Sequence, residues 1–322
     1  MTRVVLAVLL MLSMTLLPQA QETLPVPDEG GVYLTIEGVR VYAIDRGDPD
    51  SPAVLLLHGF GGSVVTWRYT MDPLVEAGYR VVAFDRPPYG FADKRIDITW
   101  DDAFYRDLTI SVMDELGIDR AVLVGHSAGG SVVANVGIAY PERVAGLVFA
   151  AGAVFTRQAA EAMGSPAGDS PLAGLASGIS AIDPESPLAQ LAVRAVFTPE
   201  RFADILFSTY YDPDKIPADA VEVYGRTFEL PGWEAAFLKL LTQGMPDMET
   251  DDTALANLEM PILLIWGEDD TWVPLTVGES LADVLADAEL ITYPETGHIP
   301  MEEQSEAFNK DLLDFLVHVY NR

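Results

Sequence analysis

The sequence predicts an α/β fold in which a mostly parallel central sheet is flanked by helices and carries a mainly helical insertion after its sixth strand. Short, continuous apolar runs recur along the chain, and such runs are typical of strands that are covered on both faces. Helical patterns separate these runs, and strands that alternate with helices predict a parallel sheet built from right-handed crossovers. The alternation stops at about residue 153 and resumes near residue 261, which predicts the insertion.

The first part of the chain, 21–152, is interpreted as the first half of the sheet domain. The alternating stretch VYLTIEGVRVYAIDRG predicts a two-stranded hairpin that turns at Glu37 and Gly38. Apolar runs then predict strands over 53–59, 80–86, 121–125 and 144–152. Between these runs, helices are predicted over 101–116, ending before Gly117, and over 128–140, ending before Pro141.

Residues 153–252 are interpreted as a mostly helical insertion. Near its start lies a stretch rich in Pro, Gly, Ala and Ser, GSPAGDSPLAGLASGIS, and no run of the earlier strand type follows it. Helices are predicted over 188–197, 199–210 and 232–241. The sheet domain resumes over 253–322, with strands predicted at 261–268 and 288–295 and a final amphipathic helix at 305–320.

The first 20 residues are interpreted as a targeting segment outside the fold. Arg3 precedes an apolar run, and the small residue Ala20 is a suitable last residue before cleavage, which is the three-part layout of a secretory signal. The run is shorter than the roughly 20 residues that span a bilayer. We therefore expect export to the periplasm or the exterior. Because Pro18 lies close to the expected cut, an uncleaved N-terminal membrane anchor is the alternative.

The charge and the cysteine count exclude several kinds of partner and site. The chain has 49 acidic and 19 basic residues, a formal net charge of −30, so it repels phosphate backbones and nucleic acid is not an expected partner. It has no cysteine, which excludes disulfides, thiolate metal sites and a cysteine nucleophile. No histidine pair has the spacing of metal ligands, so we expect neither a metal nor a cofactor.

A candidate nucleophile, Ser127, lies in the stretch AVLVGHSAGGSVV, where an apolar run ends between glycines and a helical pattern begins. Serine attacks a carbonyl only if a base takes its proton, and that base must itself be oriented. Among the four histidines, His318 lies inside the final helix pattern, and His126 adjoins the serine on a turn where neighbouring side chains diverge. His58 ends the third strand. His298 follows the last strand in YPETGHIPMEE, where a base can reach across the strand ends.

A carboxylate is needed to orient the base. The loop after the sixth strand, AAGAVF, contains none. The next strand ends in IWGEDDTWVP, which supplies Glu268, Asp269 and Asp270. With Ser127 before this run and His298 after it, the order is that of a hydrolase triad.

Five stretches in order, HGFGGS, FDRPPYGFAD, GHSAGG, WGEDDTWVP and TGH, resemble the α/β-hydrolase superfamily, and the resemblance covers nearly all of the chain after the leader. It implies that Ser127 is the nucleophile and His298 the base. In the family pattern the acid is the third residue after the glycine and the fourth before the proline, which is Asp270, with Asp269 as the fallback.

The resemblance also implies the surroundings of the reacting carbonyl. The backbone N–H groups of Phe60 and Ala128 are the expected donors to an oxyanion, and His58 is expected to shape the loop by hydrogen bonds. The insertion resembles the helical cap that covers the pocket in many members. The expected pocket residues are Trp272, Phe155, Tyr210 and Trp233, with Tyr211 and Phe237 as further aromatic candidates on the cap.

These observations predict a serine hydrolase of the carboxylesterase type that cleaves an ester-like bond of a small to medium apolar substrate. A serine nucleophile argues against the haloalkane dehalogenases and epoxide hydrolases that share this fold, because those use aspartate. Hydrolases of C–C bonds, lactonases and perhydrolases remain as alternatives with the same triad. An alternative of another class is a small-molecule receptor with little turnover, because a fold does not determine a function.

Overall fold

The structure, a computed structural model, describes residues 28–163, 183–243 and 250–321. The predicted signal peptide or anchor lies outside these ranges and stays a prediction. Within the described ranges, no helix has the length and apolar character needed to cross a membrane.

The fold is built on one eight-stranded sheet with the order β1-β2-β4-β3-β5-β6-β7-β8. β2 pairs antiparallel with both β1 and β4, and the other neighbours are parallel. The strands are β1 Gly31–Ile36, β2 Val39–Arg46, β3 Ala53–Leu57, β4 Arg80–Phe84, β5 Ala121–His126, β6 Val144–Ala150, β7 Ile262–Gly267 and β8 Ala288–Tyr293. This confirms the predicted fold class.

Several predicted strands extend too far at their carboxyl ends. β3 ends at Leu57 rather than at residue 59, β4 at Phe84 rather than 86, and β6 at Ala150 rather than 152. The apolar runs continue past these points because the loops that follow are also buried, so hydrophobicity alone does not mark where strand pairing stops. The hairpin turn is where it was predicted, with positive φ at Glu37 and Gly38.

Helices cover both faces of the sheet and form the insertion. Those of the sheet domain are Met71–Glu76, Asp102–Glu115, Ala128–Ala139, Leu275–Val284, Pro300–Glu303 and Ser305–Tyr320, with Arg157–Met163 and Asp252–Ala256 at the borders of the insertion. Within the insertion, the described helices are Pro187–Val196, Pro199–Phe207, Ala220–Gly225 and Trp233–Gln243. The second of these ends at Phe207, not at residue 210 as predicted, because the next residues contact the loop that carries His298.

The core lies in two layers, one on each face of the sheet. Along β3, Leu55 and Leu57 belong to one layer, while Val54 and Leu56 belong to the other. All four are fully buried, as expected for a central parallel strand. The sheet is therefore a rigid platform, and its carboxyl edge carries the loops that contain the candidate site residues.

The insertion leaves and rejoins the sheet domain at one point. The backbone N–H of Thr250 donates to the carbonyl oxygen of Phe155 over 2.9 Å. Inside the insertion, the rings of Phe197 and Phe237 pack edge to face with centroids 4.5 Å apart. The first contact joins the two ends of the insertion, and the second packs the end of the helix Pro187–Val196 against the helix Trp233–Gln243.

Candidate active site

Ser127 lies at the sharp turn between β5 and the helix Ala128–Ala139. Its backbone has φ 50° and ψ −123°, outside the regions that residues with a Cβ normally occupy. The turn also needs glycine on both sides. A Cβ at Gly125 would lie 2.4 Å from the carbonyl oxygen of Gly129, and one at Gly129 would lie 2.3 Å from that of Leu57. The close packing around these glycines imposes the strained turn, which holds the half-buried Ser127 side chain at the carboxyl edge of the sheet.

His298 and Asp270 are joined by a hydrogen bond, with 2.8 Å between Nδ1 and Oδ2. The other carboxylate oxygen of Asp270 accepts from the backbone N–H groups of Trp272, at 2.8 Å, and Val273, at 2.9 Å. A carboxylate can only accept, so Nδ1 of His298 carries the proton and Nε2 is left as the basic nitrogen. The pair can therefore accept a proton at a defined atom.

Asp269, the fallback acid, is placed differently. The Asp269 side chain is exposed, whereas that of Asp270 is buried. The backbone N–H of Asp269 donates to the carbonyl oxygen of Thr296. Glu268 is also exposed and accepts from the Thr292 hydroxyl. Of the three consecutive carboxylates, the structure joins Asp270 to the imidazole.

His126 has a role that the sequence did not indicate. Its Nε2 lies 2.9 Å from the carbonyl oxygen of His298, and the two ring centroids are 4.8 Å apart. The sequence predicts only that the His126 side chain diverges from that of the adjacent Ser127; its contact with the ring and backbone of His298 was not predicted. In the sequence, His126 is a polar residue at the end of a buried strand. This pattern is too common to predict that the residue supports the backbone of another segment.

The candidate oxyanion donors belong to two segments, the start of the helix after Ser127 and the loop after β3. Ala128 is the first residue of its helix, where backbone N–H groups lack acceptors within the helix and favour negative charge. The loop that contains Phe60 is also close, because a Cβ built on Gly59 would lie 2.8 Å from Cβ of Ser127. The Phe60 ring is 43% exposed and packs on Tyr89.

His58 braces this loop from below. Its Nε2 accepts from the backbone N–H of Arg86 at 3.0 Å, so Nδ1 carries the proton and donates to the carbonyl oxygen of Gly59 at 2.8 Å. Burial, and then the nearby Arg86 charge, hold the pKa of His58 well below its usual value. The Arg86 guanidinium also donates to the His58 carbonyl oxygen at 2.6 Å. His58 is thus engaged on both nitrogens, as expected for a loop-shaping residue.

The predicted pocket residues occupy different environments. Trp272 is 44% exposed and stacks on the His298 ring with centroids 6.0 Å apart. Phe155 is buried in the core. The Tyr210 hydroxyl donates to Glu302, and Trp233 packs edge to face on Phe228 within the cap. Trp272 is therefore the one of the four for which the structure provides a contact with His298.

The further aromatic candidates are also placed. Tyr211 is exposed, and its backbone N–H donates to Glu303, while Phe237 packs inside the cap against Phe197. Across the described ranges, no group of three or more histidines and carboxylates is arranged to hold a metal ion.

A cavity of about 820 Å³ lies at the opposite edge of the sheet. Its lining includes Val144, the first residue of β6, and Pro261, which directly precedes β7. Ser127 follows the carboxyl end of β5. The cavity is therefore separate from the candidate active site.

Comparison with known proteins gives a consistent result. A family model described as the alpha/beta hydrolase fold matches residues 52–305. The chain is 30% identical over 295 residues to a 2-hydroxy-6-oxononadienedioate/2-hydroxy-6-oxononatrienedioate hydrolase of Paraburkholderia phymatum, covering 89% of this chain and 93% of that protein. It is 25% identical over 282 residues to the uncharacterized hydrolase YugF of Bacillus subtilis, covering 88% and 96%.

Solved structures resemble this one along most of the chain. A membrane phospholipase A, described as a bacterial virulence factor, superposes with a TM-score of 0.71 at 26% identity, covering 91% of this chain and 87% of that one. The meta-cleavage product hydrolase CumD of Pseudomonas fluorescens superposes with a TM-score of 0.72 at 23% identity, covering 90% and 98%. The second likeness is one of fold alone.

Proposed function

The chain belongs to the α/β-hydrolase family, and from this premise we propose that it is a serine hydrolase of the carboxylesterase type. The substrate is a small to medium apolar molecule with an ester-like bond. The observation that carries the proposal is the 2.8 Å hydrogen bond between His298 and the buried Asp270. Together with the strained turn at Ser127, it provides an oriented base at the same edge of the sheet as a candidate nucleophile.

The reaction proceeds through an acyl-enzyme. Nε2 of His298 takes the proton of Ser127 as Oγ attacks the carbonyl carbon, and the resulting imidazolium is stabilised by Asp270. The N–H groups of Phe60 and Ala128 donate to the oxyanion. His298 then protonates the leaving group, and in the second half it activates the water that hydrolyses the acyl-enzyme.

The exposed aromatic rings next to the site support an apolar substrate. Phe60 and Trp272 are both more than two-fifths exposed although they are large and hydrophobic. Exposed apolar surface next to a candidate site provides a contact area that suits an apolar ligand. The formal charge of −30 disfavours the approach of an anionic substrate.

A C–C bond hydrolase is the second candidate. Curated relatives from several bacteria carry the name of a hydrolase of 2-hydroxy-6-oxononadienedioate, a dicarboxylate. The same three side chains suit that reaction. The excess of acidic residues favours the approach of an uncharged ester over that of a dianion, and therefore favours esterase activity over C–C bond hydrolysis.

A substrate panel with a Ser127→Ala variant tests the proposal. We expect the wild type to hydrolyse p-nitrophenyl esters of short and medium chains faster than a vinylogous diketone acid. Lactones are assayed as a third class of substrate. Ser127→Ala should lower kcat/KM by at least about 1,000-fold, because the triad acts as a unit. Ser131→Ala, which removes a hydroxyl that donates to the Ala128 carbonyl within the helix, is the matched control. Equal rates in the wild type and Ser127→Ala would contradict the mechanism.

A further inference from the structure

The loop that carries His298 is bonded directly to the cap segment 208–211. The backbone N–H of His298 donates to the carbonyl oxygen of Thr209 over 2.7 Å. Beside it, Nε1 of Trp272, whose ring stacks on His298, donates to the carbonyl oxygen of Ser208 over 3.2 Å. The cap therefore contacts both the backbone of the candidate base and the ring that covers it.

Glu303 adds a bridge between the same two segments. Its Oε1 accepts from the backbone N–H of Gly297 at 2.7 Å, and its Oε2 accepts from the backbone N–H of Tyr211 at 2.8 Å. One carboxylate thus holds the residue before His298 and the end of the cap segment. Glu303 is 6% exposed, so water cannot readily replace these hydrogen bonds, and losing one leaves a buried polar group without a partner.

Gly297 shows how closely the two segments approach. A Cβ built on it would lie 2.6 Å from the carbonyl oxygen of Thr209 and 2.8 Å from the backbone nitrogen of Tyr211. Any side chain at this position would push the cap segment away from the histidine loop. The backbone contact and the Glu303 bridge are two separate features that fasten the same junction.

The neighbouring carboxylate, Glu302, makes bonds of a different kind. It accepts from the hydroxyls of Tyr210 and Tyr224 and from the guanidinium of Arg68. Those partners join the cap to the 3-10 turn Val64–Trp67 and its flank, and none of them is a backbone atom of the His298 loop. Tyr210 belongs to the cap segment 208–211, so Glu302 also holds that segment, but through a side chain. Only Glu303 also binds the backbone of the His298 loop, and Glu302→Gln therefore measures the effect of loosening the cap alone.

We propose that Glu303 is a positioning residue that aligns His298 by tying its loop to the docked cap segment 208–211. The inference rests on the proposed function, in which His298 is the base. The bonds to Glu303 and Thr209 fix the backbone positions of Gly297 and His298, and thereby the position from which the imidazole extends. When the bridge is lost, the base is less well aligned, and small errors in alignment lower the rate of the chemical step.

The test uses Glu303→Gln. A glutamine amide has one acceptor oxygen and an NH2 group, so it can accept from the N–H of Gly297 or of Tyr211 but not from both. We measure the rate constant for modification of Ser127 by a fluorophosphonate, together with the number of sites labelled at completion. The rate constant reports on base alignment in each folded molecule, whereas partial unfolding changes the number of labelled sites.

Glu302→Gln is the matched control. Tyrosine hydroxyls can accept as well as donate, so they can turn to receive the amide NH2. Arg68 loses a charged partner, and the melting temperature is expected to fall. The labelling rate constant should nevertheless stay within about threefold of the wild type, because the His298 loop keeps its bonds.

For Glu303→Gln we expect the labelling rate constant to fall about tenfold or more at full stoichiometry, and kcat for p-nitrophenyl acetate to fall with it while KM stays within about threefold. Gly297→Ala, an independent change at the same junction, should act in the same direction. A wild-type rate constant in Glu303→Gln overturns the inference, as does an equal loss in Glu302→Gln. If Ser127→Ala is still labelled and active, the proposed function itself fails, and the inference fails with it.

Discussion

Nε2 of His126 donates a hydrogen bond to the carbonyl oxygen of His298 over 2.9 Å, and the two ring centroids lie 4.8 Å apart. The carbonyl can only accept, so the proton of the neutral ring is assigned to Nε2. Burial, with a smaller effect from the neighbouring His298, lowers the pKa of His126 to about 3. The residue before the candidate nucleophile thus supports the backbone of the candidate base while staying uncharged.

This lowered pKa predicts a loss of stability in acid. Between pH 6.5 and about 3, the unfolded chain binds a proton on His126 that the folded chain does not, so the free energy of unfolding should fall as the pH falls through this window. His126→Gln, which cannot titrate, is expected to show a shallower fall than the wild type between pH 7 and pH 4. Urea unfolding at each pH measures the slope.

The exposed His318 provides the control for this experiment. His318→Gln makes the same replacement at an exposed position, and a change of slope is assigned to His126 only where it exceeds the change in His318→Gln. Comparing slopes rather than absolute values cancels the contribution of the many surface carboxylates. An equal slope in His126→Gln and the wild type would show that folding does not lower the pKa of His126.

The acid assignment predicts a difference between adjacent variants. Asp270→Asn places an NH2 group opposite Nδ1–H of His298, which favours the wrong tautomer, and should lower kcat/KM by about 1,000-fold or more. Asp269→Asn changes an exposed side chain and should stay within about threefold of the wild type. Hydrolysis of p-nitrophenyl acetate by folded variants, checked by circular dichroism, measures both. The reverse order would move the acid to Asp269.

The sequence was sufficient for the elements whose signals are local or ordered along the chain. The buried strands have continuous apolar runs, and their alternation with helices predicts the parallel sheet. The order of Ser127, the acidic run and His298, with the family resemblance, predicts a triad, of which the structure contains the hydrogen-bonded pair of Asp270 and His298. The chain fold then brings Asp270 to His298 across 28 positions, a contact that local periodicity does not contain.

The parts that the sequence did not predict depend on contacts between distant segments. Residues 208–210 were expected to continue a helix, but the helix ends at Phe207, and the carbonyl oxygen of Thr209 accepts from the backbone N–H of His298, almost 90 positions later. The roles of His126 and Glu303 have the same origin. A polar residue beside an apolar run has many ordinary uses, and only its partner in the folded chain distinguishes a support from a surface residue.

Lys94 is expected to stabilise the loop that supports the Phe60 side of the site. Its Nζ donates to the carbonyl oxygens of Tyr89, Gly90 and Ala92 at 3.2, 2.6 and 3.0 Å. Burial lowers its pKa to about 7. Lys94→Met removes this buried donor from all three carbonyl oxygens and should reduce the free energy of unfolding by about 1–3 kcal/mol, measured by urea denaturation.

The control for this change is Lys310→Met. Lys310 is exposed and pairs with Asp311 and Asp314 on the final helix. Exposed ion pairs contribute little to stability, so no measurable change is expected. If the two methionine variants are equally stable, the three carbonyl bonds of Lys94 do not contribute to the loop.

The strained backbone of Ser127 predicts that glycine is better tolerated than alanine at this position. Both replacements remove Oγ, but only alanine keeps the Cβ that makes φ 50°, ψ −123° unfavourable. Strain of this kind costs about 1–3 kcal/mol, and the extra freedom of glycine in the unfolded chain offsets part of it. Ser127→Gly should therefore be about 1 kcal/mol more stable than Ser127→Ala in urea denaturation.

At Ser131, the same two replacements should change stability in the opposite order, with the glycine variant less stable than the alanine variant. Ser131 lies inside the helix Ala128–Ala139, where glycine is about 1 kcal/mol less favourable than alanine. Measuring all four variants separates the strain at the turn from the general effect of glycine. If Ser127→Gly is less stable than Ser127→Ala, as expected for position 131, the turn stores no strain. The position of the half-buried candidate nucleophile must then depend on the packing of Gly125 and Gly129 alone.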